Sequence, residues 1–344
     1  MQLGSVFRPS RVLSPFYVGQ VAGPGEIAYI EPWDADNQVL VFQTEDVNAL
    51  AVSNDSGYTT VDKSPTGYVG IPAFVKRLDS SIFAATYRVV EKDFKLYRAD
   101  GVNADFTGMS EMWYWPYIGR PIVGKPFGSV DVIFPGAIDL TSRCLDLLCW
   151  NTSDNRVYEI DGNSFPLAYR DGTRKASAVR IADIPALGKD AGNQYITVAA
   201  VVAGGSAYLM GSDPASAVGY KFRETFSVPG ASGLLDILVS GSVAVVPVLT
   251  SEGTQFYRTT DGGVTWRLVL VLPSCTAAAV TGVGEMLVSS GSGYVYRSQN
   301  YGLYWHRACD IGEPVTAICG MGGSGVIAGT GNGRIFRLAG AYIG

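Results

Sequence analysis

A chain of 344 residues, 47% hydrophobic and only 17% charged, can bury a large core and is not an intrinsically disordered segment. Its formal charge of -5, with Lys and Arg scattered, disfavours non-specific nucleic-acid binding. The five cysteines (Cys144, Cys149, Cys275, Cys309 and Cys319) are odd in number and irregularly spaced, unlike an oxidised disulfide scaffold. Glycine is abundant, 42 residues against 17 prolines and without a period of three, which suits a fold rich in tight turns.

The opening residues, Met1-Gln2-Leu3-Gly4-Ser5-Val6-Phe7-Arg8, lack a basic head followed by an apolar run. No signal peptide is expected, and no uninterrupted apolar stretch reaches membrane-spanning length. The expectation is synthesis in the cytoplasm. Virion components are also built without signals, so incorporation into a particle is compatible with it.

In chain order, short apolar runs bounded by Gly, Asn, Asp and Ser predict paired strands. The first unit pairs 39–42 with 49–52, and the second pairs 82–87 with 94–98. A strand at 130–134 precedes the third, which pairs 145–150 with 156–158. The fourth pairs 195–202 with 206–210, and the fifth pairs 243–249 with 255–258. The sixth pairs 285–288 with 294–297, and the seventh pairs 325–328 with 334–337.

Seven units recurring every 40 to 60 residues or so predict an all-β, seven-bladed β-propeller formed by residues 1–344 as one domain. A lone blade leaves both faces bare, whereas a ring buries each face against a neighbour. The seventh unit is too short for a full blade. A segment near 25–31 is expected to supply the missing strand, so that the two ends of the chain close the ring. Loop excursions are expected near 102–128 and 168–192.

Two octapeptides repeat one pattern: Thr259-Thr260-Asp261-Gly262-Gly263-Val264-Thr265-Trp266 and Ser298-Gln299-Asn300-Tyr301-Gly302-Leu303-Tyr304-Trp305. A third, Ser53-Asn54-Asp55-Ser56-Gly57-Tyr58-Thr59-Thr60, lacks only the final Trp. In the two complete copies an aromatic-Arg pair precedes the octapeptide, Tyr257-Arg258 and Tyr296-Arg297. Asp55 and Asp261 can accept bonds from turn amides, Gly57, Gly263 and Gly302 can take angles closed to β-carbons, and Trp266 and Trp305 offer apolar plates.

These octapeptides resemble the Asp-box, or BNR, repeats of sialidase-like β-propellers. That family also includes photosystem assembly factors, sortilin-type receptors, xyloglucanases and parts of phage tail proteins. The resemblance implies peripheral, structural turns built from Ser53, Asp55, Gly57, Thr259, Asp261, Gly263, Thr265, Trp266, Ser298, Asn300, Gly302 and Trp305. It also raises an enzyme reading, because sialidases carry an arginine cluster, a Tyr-Glu pair and an acidic Asp. Here the early arginine motif is only echoed by Phe7-Arg8-Pro9, and no carboxylate pair can be assigned at a glycosidase separation. No catalytic residue is expected.

No metal or cofactor is expected either. His306 is the single histidine, Cys309 lies three residues on without a second pair, and the 320–325 glycine run lacks a following Lys. Trp113, Tyr114, Trp115 and Tyr117 crowd one excursion, and Arg170, Arg174 and Arg180 mark another; both are interface candidates. The expected function is a non-catalytic structural or interaction propeller of a phage tail or similar large virion assembly. Its partners would be other protein subunits, with a glycan as a possible ligand. The alternatives are a glycan-binding or sialidase-like hydrolase propeller and a host assembly factor.

Overall fold

The computed structural model describes residues 12–21, 25–34, 39–44, 50–66, 68, 71–78, 81–88, 93–101, 104–108, 132–133, 146–151, 156–161, 176–188, 196–212, 222–323 and 325–341. Among them the chain forms short antiparallel strands sorted into seven sheets. Strand β1 (Val12–Gln20) comes first and joins the last sheet. The first sheet is β2 (Ile27–Asp34), β3 (Val39–Thr44), β4 (Leu50–Ser53) and β5 (Val61–Asp62). The second is β6 (Ile71–Leu78), β7 (Ser81–Arg88), β8 (Asp93–Asp100) and β9 (Thr107–Gly108). The third has β10 (Val132–Ile133), β11 (Asp146–Asn151) and β12 (Arg156–Asp161) among the described residues.

The fourth sheet is β13 (Ala176–Asp183), β14 (Thr197–Ala203), β15 (Ser206–Ser212) and β16 (Phe222–Pro229). The fifth has β17 (Ala231–Leu234), β18 (Leu238–Ser240), β19 (Val243–Thr250), β20 (Gly253–Thr259) and β21 (Arg267–Leu272). The sixth is β22 (Cys275–Val280), β23 (Met286–Ser290), β24 (Tyr294–Ser298) and β25 (His306–Asp310). The seventh orders β26 (Val315–Gly320), β27 (Val326–Thr330), β28 (Arg334–Ala341) and then β1.

The middle strands β14 and β19 are apolar at nearly every position because both of their faces are covered. Residues 243–248 of β19 are all buried, including Pro247, which cannot donate to a ladder. The sheet accommodates it by breaking the inner strand opposite it. β18 ends its pairing at Leu238–Val245 and β17 resumes at Leu234–Val248, while Leu235 N–H donates to the Pro247 carbonyl at 3.1 Å.

Burial fixes which sheets meet. Val198, Leu209, Val246 and Tyr257 join the fourth sheet to the fifth. Val245, Phe256, Met286 and Val288 join the fifth to the sixth. Leu287, Val295, Ile318 and Leu338 join the sixth to the seventh. Ile27, Phe42, Cys319, Ile327 and Ile335 join the seventh to the first. Val41, Val52, Ile82 and Tyr97 join the first to the second. The opening and closing sheets of the chain are therefore packed neighbours.

Three expectations change. The strand that completes the last sheet is Val12–Gln20, whereas 27–31 lies in β2, the first strand of its own sheet. Leu13 and Val18 of β1, with Val21 just beyond it, are buried in two clusters, while Phe16 and Tyr17 between them are exposed. The fifth unit carries an extra short strand because of the break at Pro247. Trp113, Tyr114, Trp115, Tyr117, Arg170 and Arg174, with most of the 102–128 excursion, lie outside the described residues, whereas within 168–192 the chain forms β13 and a 3-10 turn at Pro185–Leu187 rather than a loop, with Arg180 in β13 opposite Ala200.

Candidate functional site

The three octapeptides follow β4, β20 and β24 and build one turn three times. In the first, Ser53 Oγ donates to Asp55 Oδ1 at 2.8 Å and accepts the Gly57 N–H at 2.7 Å. Asp55 Oδ1 also accepts the Thr59 N–H at 2.8 Å, and Oδ2 accepts the Thr59 hydroxyl at 2.7 Å. In the second, Thr259 Oγ1 donates to Asp261 Oδ1 at 2.7 Å and accepts the Gly263 N–H at 2.9 Å. Thr265 donates its N–H and hydroxyl to the two Asp261 oxygens at 3.0 and 2.6 Å. In the third, Ser298 Oγ donates to Asn300 Oδ1 at 3.0 Å, and Asn300 Oδ1 accepts the Tyr304 N–H at 2.9 Å. Tyr304 stands where the other turns have Thr, and its hydroxyl sits at the far end of the ring rather than on the β-carbon.

Burial pushes the Asp55 carboxyl up, but bonds from Thr59 and Ser53 outweigh it and hold the group below its ordinary value. At Asp261 burial likewise opposes, and bonds from Thr265 and Thr259 prevail. Both aspartates are committed to their own turns as ionised acceptors.

The fifth position demands glycine for two reasons. Gly57, Gly263 and Gly302 have φ of 92°, 86° and 75°, in the left-handed region. Each also faces the preceding sheet so closely that a β-carbon would collide. It would lie 2.8 Å from Ile335 Cγ2 at Gly57, 2.8 Å from the Gly211 Cα at Gly263, and 2.5 Å from Val245 Cγ2 at Gly302. The turns therefore act as pins between neighbouring sheets.

The tryptophans add to the pins. Trp266 Nε1 donates to Thr225 Oγ1 of the fourth sheet at 3.1 Å, and Thr225 Oγ1 donates to the Gly263 carbonyl at 2.6 Å. The Trp305 ring lies 5.1 Å from that of Phe256 in the fifth sheet, and its Nε1 donates to the Gly302 carbonyl at 3.1 Å. In the first turn Thr60 stands where the others have Trp, and its hydroxyl reaches the Gln20 carbonyl of β1 at 3.5 Å.

The arginines at the strand ends are also engaged internally. Arg258 Nε donates to the Tyr301 carbonyl of the next turn at 2.8 Å, Arg98 meets Asp100 at 2.5 Å, and Arg297 pairs with Glu285. Cys275 and Cys309 are buried thiols pushed up to about 11 and about 12, so neither is a ready nucleophile. Among the described residues no group of three or more His, Cys, Asp or Glu side chains could hold a metal ion. No helix among them is long and apolar enough to cross a membrane.

Sequence reasoning missed the sixth position of the octapeptide. Tyr58, Val264 and Leu303 occupy it, and they are 57%, 62% and 45% exposed. Tyr304 beside Leu303 is 77% exposed. The signal is an aromatic or aliphatic residue at this position in all three copies. A turn whose polar groups bond inward turns this side chain out.

No known protein family matches the sequence, and no curated protein matches it. Solved structures do share its architecture. A catalytically inactive virginiamycin B lyase from Staphylococcus aureus with quinupristin superposes with a TM-score of 0.64 at 10% identity, covering 95% of this chain and 99% of that one. YCF48 bound to a D1 peptide gives 0.61 at 10% identity over 97% and 99%. Sqt1 of Saccharomyces cerevisiae gives 0.59 at 12% identity over 96% and 99%. Together with the serial packing of antiparallel sheets, this likeness makes the protein an all-β chain of the β-propeller class. At such identities the likeness extends to the fold alone.

Proposed function

We propose that the chain is one domain whose seven sheets are seven blades, closed by pairing β1 with β28, and that its three octapeptides are Asp-box turns. The packing of the seventh sheet on the first supports closure. In this reading the ring is a non-catalytic interaction body within a large assembly, a phage tail or similar virion structure. It is made in the cytoplasm and then built into the particle.

One observation carries the interaction reading: three pinned turns each present an apolar side chain, Tyr58, Val264 or Leu303, at the same place. Rigid backbone with exposed aromatic and aliphatic groups suits protein contacts, since little ordering entropy opposes binding. YCF48, which shares the fold, was solved bound to a peptide. The low charge of 17% and the aromatic run at 113–117 point the same way. We assign that run and Arg170, Arg174 and Arg180 to partner contacts.

Electron microscopy of the particle from which the chain is purified tests this. Ring-shaped density for this chain at a symmetric position in the particle supports the proposal. Recovery only as a free monomer, absent from purified particles, overturns it.

A further inference from the structure

Glu285, Arg297 and His306 meet where the sixth sheet faces the seventh. Register places Arg297 of β24 opposite Leu287 of β23 and His306 of β25, so these three side chains leave the same face. That face packs on the seventh sheet, where Leu287, Val295 and Ala308 share a cluster with Leu13, Ile318, Val326 and Leu338. Arg297 is only 1% exposed and Glu285 12%, and they form an ion pair. Glu285 Oε1 also accepts from Gln299 Nε2 at 2.8 Å. Arg297 Nε and Nη1, Glu285 Oε2 and His306 Nε2 are buried without a hydrogen-bond partner.

A buried guanidinium is tolerated only beside a counter-charge. Glu285 supplies it, and the cluster is neutral overall as long as His306 is neutral. Among the described residues, the charges acting on the imidazole are Arg297 and Glu285. On its own strand, Arg307 pairs with Asp310 at 2.7 Å and lies over the Tyr294 ring at 3.6 Å, while the Cys309 thiol stays protonated. The facing sheet contributes Leu13 from β1, Ile318 from β26, Val326 from β27, and Phe336 and Leu338 from β28. On that sheet the Tyr17 ring of β1 lies against Phe336 with centroids 5.8 Å apart.

We propose that Glu285, Arg297 and His306 form an acid-sensitive lock on the seam that holds β1 and β28 against the sixth sheet. A proton on His306 places a second cation beside Arg297. That leaves one uncompensated positive charge in the seam, and Leu13 ties the seam to the N-terminal strand. Burial and then the guanidinium hold the imidazole below its ordinary value, against the pull of Glu285. The unfolded chain takes up this proton near pH 6.5, the folded chain only at lower pH. The stabilisation is therefore complete above that value, falls as pH drops towards the folded-state value, and levels off below it.

His306 is the chain's one histidine, so its imidazole gives a single unambiguous NMR titration. The expected midpoint lies below the ordinary histidine value. Hydrogen-exchange protection of the β1 and β28 amides should fall about tenfold for each unit by which the midpoint is depressed, while β19 and β20 keep theirs. His306→Gln should abolish the difference between neutral and mildly acidic conditions. An imidazole midpoint at or above the ordinary value overturns the proposal, and so does equal loss of protection in every sheet or an unchanged acid response in His306→Gln. The wild-type titration decides the matter even where the variant does not fold.

Discussion

The Thr316 hydroxyl of β26 donates to the Ile27 carbonyl of β2 at 2.8 Å, joining groups 289 positions apart in the chain. Ile27 is wholly buried and Gly329 lies beneath it, where a β-carbon would sit 2.7 Å from Ile27 Cγ2. This bond therefore belongs to the contact between the last and first sheets. Thr316→Val keeps the volume and removes the donor. It should cost about 1 to 2 kcal/mol in denaturant unfolding, the range for a buried carbonyl left unpaired. A cost near zero would mean that water reaches the carbonyl and the seam is open.

Asp261→Ala should destabilise the fold by about 1 to 3 kcal/mol, because the Thr265 N–H and two hydroxyls lose their acceptor. Asp261→Asn should cost less, since Asn300 fills the same role in the third turn through its Oδ1. Equal losses in the two variants, read from urea midpoints, would show that charge rather than acceptor geometry is what matters.

The pH dependence follows from the same aspartates. Their folded-state values lie below the ordinary one, so their stabilisation is present above about pH 4 and disappears as pH falls through the folded-state values. The wild type should lose stability in that acid window, and Asp55→Asn with Asp261→Asn together should flatten it. Thermal melts across the window check this.

Gly302→Ala combines a left-handed φ with a collision against Val245 and should cost more than about 2 kcal/mol. Gly312 has a similar φ of 82° but open space around it, so Gly312→Ala should cost only about 1 kcal/mol. The difference between the two isolates the pinning contact from backbone strain. Similar costs would remove the pin from the account.

Leu303→Ser with Tyr304→Ser changes exposed groups and should shift stability by no more than about 0.5 kcal/mol. On the proposed reading of the chain as part of an assembly, its incorporation should weaken by about 2 kcal/mol. Pull-down of folded protein with its particle measures this, and a lower melting point with unchanged incorporation would place both residues in the fold instead. The interaction reading also expects no turnover of fluorogenic sialosides; turnover lost on changing Arg8 would restore the enzyme.

Much of the architecture was legible in the chain. Alternating apolar runs and Gly-Asn-Asp-Ser turns are local signals, and they predicted strands in every unit. The octapeptides were equally legible, because a hydroxyl, a carboxylate and a glycine at fixed offsets interact within one turn. The seam of Glu285, Arg297 and His306 was not, because nothing in the chain distinguishes Arg297 from Arg258, the other arginine that precedes a complete octapeptide.

Sequence by itself determined the β character of the chain, its repeated turns and the glycine at the fifth position of each, since each depends on neighbours a few bonds away. Only the tertiary structure decided which strand completes the last sheet, which sheet each turn pins, and which charge is buried. Those depend on contacts between distant segments. β1 could be placed only once the edge of β28 existed to receive it, and Arg297 became a buried cation only when the seventh sheet covered its face.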